Sequence, residues 1–115
     1  MIKKLLIMGI CTIALASCTS TKNMYSWYNY EDISYKYSKK STDELQVKLL
    51  SEYQKITGNQ KGLRAVVPPG LYAEYGYLLC KTGKMDEGIS FLKQEIKLYP
   101  ESEKYISRII KQLEE

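Results

Sequence analysis

The side chains that could carry out chemistry in this sequence are few. The 115 residues include three cysteines and no histidine, so the side chain that most often acts as general acid, general base or metal ligand is missing. Neighbouring carboxylates, such as Asp43 with Glu44, stand at predicted helix starts, where the helix dipole stabilises negative charge. We therefore expect no catalytic residue, no metal site and no cofactor, and hence no enzymatic activity.

Cys18 is the reactive position that its surroundings define best. It follows lysines at positions 3 and 4, an uncharged apolar stretch over residues 5–16 and a small residue. Such a stretch is shorter than the roughly 20 residues of a membrane-spanning helix and is typical of a signal peptide. The Leu-Ala-Ser-Cys that ends it resembles the bacterial lipobox, whose cysteine thiol accepts a diacylglyceryl group.

We therefore predict a signal peptide at residues 1–17 and a lipid attached to Cys18, which becomes the first residue of the mature chain. Residues 18–23 would form a short lipidated tether. The alternatives are an ordinary secretory signal with a chance cysteine, or a short anchor that is never cleaved.

The remaining cysteines and the net charge exclude two further features. Cys11 leaves with the predicted signal peptide, and Cys80 lies in an apolar helical stretch, so no internal disulfide is expected. A buried thiol is the expected state of Cys80, with an intermolecular disulfide as the alternative. The formal net charge of +4 includes the two lysines of the signal peptide, so it does not indicate nucleic acid as a partner.

Aromatic residues are concentrated just after the tether. Six fall between residues 25 and 37, and we take five as candidate partner-binding residues: Trp27, Tyr28, Tyr30, Tyr35 and Tyr37. Trp and Tyr often dominate the binding energy of an interface, but tyrosine also packs in a core with its hydroxyl in water. The segment is therefore either a binding surface or an aromatic cap on the domain. A short helix from Tyr30 would place Tyr30, Ile33 and Tyr37 on one face.

Two further helices follow from apolar spacing. The first covers about residues 42–57, and Ser41 to Glu44 resembles a capping box at its start. The second covers about residues 102–114. A non-helical connector over residues 59–70 contains Pro68 and Pro69, which exclude helix there.

Residues 70–100 resemble a tetratricopeptide repeat, a helix-turn-helix unit. The resemblance depends on large and small residues at the spacing of that repeat, namely Tyr72, Tyr75, Gly76, Leu79, Gly83, Gly88, Leu92 and Pro100. The two glycines at 76 and 88 would let antiparallel helices approach closely. Glu95 departs from the pattern, which has alanine there, so we expect looser packing against a following repeat.

These elements predict an all-α fold, a short tetratricopeptide-like helix-turn-helix solenoid of three or four helices. It would form a single domain over residues 24–115. Because one repeat cannot bury its own faces, the helices at 42–57 and 102–114 are expected to cover its two ends.

Nearly the whole mature chain is similar to a family of small bacterial lipoproteins. The similarity depends on Trp27 to Tyr30, on Pro-Pro-Gly at 68–70 followed by Gly-Tyr-Leu at 76–78, and on Tyr-Pro-Glu-Ser at 99–102. Members of that family are often encoded beside a lipoprotein resembling the curli secretion pore. The resemblance implies a role in an outer-membrane assembly, with a curli-pore-like lipoprotein as a candidate partner.

The sequence therefore favours a lipid-anchored adaptor that binds another envelope protein. The alternative is a small-ligand or glycan binder in which Trp27 and the nearby tyrosines stack on sugar rings, and a structural spacer is a third option. Thr19 follows Cys18 at the position where an aspartate commonly retains lipoproteins at the inner membrane. We therefore expect anchoring in the outer membrane, with the domain facing the periplasm.

Overall fold

Residues 23–115 are described by the computed structural model, and they contain α-helices and no strand. The helices are α1 (Tyr30–Lys39), α2 (Asp43–Gly58), α3 (Leu71–Lys81), α4 (Met85–Leu98) and α5 (Glu103–Glu114), with a 3₁₀ turn at Pro100–Ser102. The prediction of an all-α fold is confirmed for this part of the chain. The predicted signal peptide, Cys18 and all of the tether except Asn23 lie outside the described residues.

None of the helices from residue 23 onward combines the length and the apolar character that a helix needs to cross a membrane.

The described residues form five α-helices, not the three or four expected. The fifth helix is α1, the short helix that the spacing from Tyr30 predicts, and it packs along α2. Acidic residues in its first turn and lysines in its last turn favour the helix through its dipole. Its inner face consists of Tyr30, Ile33 and Tyr37, which pack against the core as their spacing predicts.

The helices pair into two antiparallel hairpins, α1–α2 and α3–α4, and α5 follows. In the first hairpin the ring of Tyr30, at the start of α1, lies 5.8 Å from that of Tyr53 in the second half of α2. In the second hairpin the amide of Ala73, near the start of α3, bonds Glu95 near the end of α4. Helix α2 packs on α3 and α5 packs on α4, so flanking helices cover the second hairpin as predicted.

The core consists of two clusters of buried side chains. The larger lies among α2, α3 and the connector between them, and it contains Leu49, Tyr53, Ile56, Val67, Leu71, Tyr75 and Leu79. The smaller joins α3, α4 and α5 through Cys80, Leu92 and Ile106. Cys80 is buried, as predicted, and this burial raises the pKa of its thiol. A thiol in this setting is a packing group and a poor nucleophile.

Close contact between α3 and α4 depends on Gly76 and Gly88. A Cβ on either glycine would lie well inside van der Waals contact with the carbonyl oxygen of the other. Gly83 forms the turn between the helices at a φ of 97°, in the left-handed region that glycine adopts without steric cost. Close backbone contact therefore requires glycine at positions 76 and 88, and the left-handed backbone conformation favours it at position 83.

The cap of α2 lies one residue later than the predicted capping box. The Thr42 hydroxyl oxygen accepts from the Leu45 amide at 3.2 Å, whereas the Ser41 hydroxyl donates to the carbonyl of Tyr37. The carboxylate of Glu44 pairs with a lysine one turn further on instead of reaching back. The helix begins at Asp43, so the residue directly before it, Thr42, occupies the capping position.

Candidate functional site

Two buried glutamates hold the starts of α1 and α3. Glu52 is 5% exposed and accepts from the amide of Asn29 at 3.1 Å. Glu95 is 2% exposed and accepts from the amides of Gly70 and Ala73, at 3.2 and 3.1 Å. Neither α1 nor α3 has a side-chain cap of its own. Each carboxylate therefore satisfies amides at the positive end of a helix dipole.

The two hairpins share this arrangement. In each of them a glutamate of the second helix bonds the amide of the residue just before the first helix, at sequence separations of 23 and 25 residues. Glu95, which was expected to loosen the packing against a following repeat, is occupied within its own hairpin. Among the described residues no buried side-chain nitrogen or oxygen lacks a partner. Hydrogen bonds to amides at the helix starts therefore account for the burial of both carboxylates.

Aromatic rings form a continuous row across four helices. Successive centroids are 4.4 to 6.1 Å apart along the row, which consists of Tyr25, Trp27, Tyr30, Tyr53, Tyr75, Phe91 and Tyr72. These separations are typical of favourable edge-to-face and offset contacts. We call this set the aromatic row. It connects the segment before α1 to the interior of the second hairpin.

The five candidate partner-binding residues divide between core and surface. Tyr30 and Tyr37 pack against the larger cluster, and the Tyr30 hydroxyl donates to the Glu74 carboxylate at 2.7 Å. Burial, followed by the nearby Glu74, raises the pKa of the Tyr30 phenol above its ordinary range. Trp27, Tyr28 and Tyr35 are 40%, 43% and 61% exposed. Only these three present enough surface to meet a partner without unpacking the domain.

A shallow depression lies beside two of the exposed rings. It is lined by Tyr28, Asn29, Glu31, Asp32 and Tyr35. Polar side chains between two aromatic rings are the kind of lining that a sugar ring could contact by stacking and hydrogen bonding. Asp32 is paired with Lys36 at 3.0 Å, which compensates one of the two carboxylates in the lining.

The repeat-like positions line the seam of the second hairpin. Tyr75, Leu79 and Leu92 are buried, and Tyr72, half-buried, stacks on Phe91 at a centroid distance of 5.9 Å. The two close-contact glycines and the turn glycine lie as described above, and Pro100 begins the 3₁₀ turn after α4. These residues therefore position helices and do not form a surface site.

A groove lies between α3 and α5, and none of the residues that line it was predicted as a site residue. It has a volume of about 600 Å³, and its lining includes Ala73, Tyr77, Lys81, Tyr105, Ile109 and Leu113. Tyr77 and Tyr105 are 43% and 69% exposed. The sequence signal is weak: Tyr77 is an aromatic residue in α3 that is not one of the repeat-like positions. Its relation to Tyr105 depends on how two separate helices pack.

No group of three or more His, Cys, Asp or Glu side chains between residues 23 and 115 is arranged to hold a metal ion.

These features define a class, a small all-α domain of two hairpins and a terminal helix with an open groove on one side. The model of the family described as domain of unknown function DUF4810 matches residues 24–109, which is most of the chain. The chain therefore belongs to that family. The match includes both hairpins, both buried glutamates and much of α5. No curated protein and no solved structure matches the chain.

Proposed function

We propose that this chain is a lipid-anchored envelope protein that acts as a protein-interaction adaptor in an outer-membrane assembly. Cys18 carries the lipid, and the domain faces the periplasm. The partner is another envelope protein, and a curli-pore-like lipoprotein is the candidate that the family resemblance implies. The proposal includes no catalytic reaction, cofactor or nucleic acid.

The proposal treats α3 and α4 as a tetratricopeptide-like hairpin and α5 as a helix that packs on it like the first helix of a following unit. The glycine contact between α3 and α4 supports it, as does the shared glutamate arrangement, which makes α1–α2 a preceding unit of similar construction. Helical solenoids of this kind bind partners on extended concave surfaces. A surface formed by α3 and α5 would be of that type.

The observation that supports the adaptor most strongly is the groove between α3 and α5. Its rim has the exposed rings of Tyr77 and Tyr105, and half-buried Ile109 and Leu113 contribute to its lining. Residues 105–113 extend about 12 Å along α5, at roughly 1.5 Å per residue. That length accommodates two turns of an amphipathic helix or a short extended segment with apolar side chains.

Affinity capture from detergent-solubilised envelope tests the adaptor. The wild-type chain should retain a stoichiometric protein partner, and the double variant Tyr77→Ala/Tyr105→Ala should lose it with little change in melting temperature, since both rings are exposed. The matched control is Tyr35→Ala, which removes an exposed ring from α1. Loss of the partner in Tyr35→Ala alone would move the site to the aromatic segment, and capture of no protein by the wild-type chain would refute the adaptor.

A small-ligand or glycan binder is the second candidate, and the depression beside Tyr28 and Tyr35 favours it. In that case the wild-type chain should be retained on peptidoglycan or a glycan resin, and Tyr35→Ala should abolish retention. The groove variant Tyr77→Ala/Tyr105→Ala should then bind the resin as the wild type does. Equal retention of all three proteins would exclude the depression as a glycan site.

A further inference from the structure

The segment that precedes α1 is fixed to the connector between α2 and α3. The Leu63 amide donates to the carbonyl oxygen of Asn23 at 3.1 Å, and the Arg64 amide donates to that of Met24 at 3.2 Å. The Gln60 side chain adds two bonds to the backbone of the same segment, at 2.9 and 2.8 Å. The position of this segment on the domain is therefore determined by the fold and does not depend on the tether.

The two joined segments present an apolar and basic surface. Six exposed side chains belong to these two hydrogen-bonded segments, and we call them together the anchor-proximal surface: Met24, Trp27, Lys61, Leu63, Arg64 and Val66. The four apolar members are 39% to 65% exposed. No acidic residue occurs in the sequence over residues 19–30 or 59–70. The surface therefore combines apolar area with positive charge, and the exposed carboxylate of Glu31 lies at its edge beside Trp27.

The distance from Cys18 to this surface is limited by the chain itself. Cys18 precedes Met24 by six residues, and six residues span at most about 20 Å. We propose that the anchor-proximal surface rests on the membrane that holds the acyl chains of Cys18. Its apolar side chains lie among the lipid head groups, and Lys61 and Arg64 face anionic phosphates. This inference rests on the lipid anchor of the proposed function.

A lipid surface fits these side chains better than a second protein does. Tryptophan and apolar side chains interspersed with Lys and Arg are typical of segments that lie at a membrane interface. Basic side chains are attracted to anionic lipids within about 10 Å of the membrane at moderate salt. A protein partner would have to fit between this surface and a membrane that the tether holds close by.

Trp27 is the only tryptophan of the chain, so its fluorescence reports on one edge of the surface. The lipidated full chain is placed in vesicles of phosphatidylcholine and phosphatidylglycerol, a fraction of which has bromine on the acyl chains. We expect the bromine to quench Trp27 and the emission to shift to shorter wavelength than in detergent. The control protein, Trp27→Phe/Tyr105→Trp, has its single tryptophan on α5 and should not be quenched.

A charge-reversed variant tests the basic component. Lys61→Glu/Arg64→Glu should lose most of the Trp27 quenching while remaining tethered. Lys93→Glu/Lys97→Glu, which reverses two exposed charges on α4, should keep it.

Absence of labelled palmitate on the wild-type chain would overturn the anchor and this inference together. Incorporation of palmitate without quenching of Trp27, or with equal quenching of both tryptophan positions, would overturn the surface alone. Shielding of Trp27 in native envelopes but not in vesicles would assign the surface to a protein.

Discussion

Glu95 is a charged residue whose role in this domain is to cap the start of α3. Its carboxylate is almost completely buried, yet it contacts two amides at the start of α3 and so replaces the water it has lost. Hydrogen bonds between an ionised acceptor and backbone amides are stronger than neutral ones. The burial of this charge is therefore compensated by the helix that it caps.

Removal of the Glu95 carboxylate should therefore destabilise the domain. Glu95→Ala leaves two partly buried amides without an acceptor, and we expect a loss of about 1–3 kcal/mol in the free energy of unfolding. Glu95→Gln keeps one carbonyl oxygen and should lose less. Chemical denaturation measures both, with the exposed Glu101→Ala as control. Equal stability of Glu95→Ala and wild type would mean that water replaces the carboxylate at no cost.

At the scale of the helices, the contact between α3 and α4 is close enough that a single methyl group matters. We predict that Gly76→Ala lowers the free energy of unfolding by about 1–3 kcal/mol through overpacking, because its Cβ would meet the Gly88 carbonyl. The intrinsic helix preference of alanine, worth about 1 kcal/mol, acts in the opposite direction.

Gly58→Ala is the matched control, since a Cβ at that position meets no atom within 4 Å. Thermal melting of the two variants should therefore show a drop for Gly76→Ala and no drop for Gly58→Ala. If the two glycine variants melt at the same temperature, the backbones of α3 and α4 separate readily and the close contact is not needed for stability.

Local patterns in the sequence predict where the helices lie along the chain. They predict less well which groups those helices contact. Apolar spacing and the two prolines define α2 and the connector after it, and the repeat-like residues define the second hairpin. The cap at Thr42 differs by one residue from the prediction, because Ser41 and Thr42 are both good capping residues. Glu95 could not be assigned, because its partners are amides more than 20 residues away along the chain.

The candidate sites depend on the whole molecule and were less predictable. The aromatic segment was recognisable from composition, but composition does not distinguish Tyr30, which packs inward, from Tyr35, which stays in water. The groove is lined by residues of both α3 and α5, which each pack on α4, and neither helix indicates this by itself. Residues that are distant in the sequence also build the anchor-proximal surface, which needs the backbone bonds between its two segments.

The aromatic row makes the stability of the whole molecule sensitive to alkaline pH. Burial and the Glu74 carboxylate raise the pKa of the Tyr30 and Tyr53 phenols above the ordinary value of about 10. A group with a higher pKa in the folded state than in the unfolded state stabilises the fold while it is protonated. Its contribution is therefore complete below about pH 10 and is lost as the pH rises further.

We expect the free energy of unfolding to decline above about pH 10, and Tyr53→Phe to make this decline shallower. Denaturant unfolding at a series of pH values measures the slope, and tyrosinate absorbance follows the ionisation. Tyr35→Phe, at an exposed position, should retain the wild-type slope. A wild-type slope in Tyr53→Phe would show that other groups control the alkaline transition.

The paired glutamates also bear on the order in which the chain folds. In both hairpins the helix that follows supplies a carboxylate acceptor for the amide just before the first helix, while the Tyr30 and Leu71 amides bond the preceding carbonyls of Trp27 and Pro68. As the chain emerges from the ribosome with its N-terminus first, α1 stays without its glutamate cap until Glu52 has emerged, and α3 stays without its glutamate cap until Glu95 has emerged. The smallest segment expected to form early is therefore a complete hairpin, and a chain stalled between two paired helices would expose a poorly formed helix to proteases and chaperones.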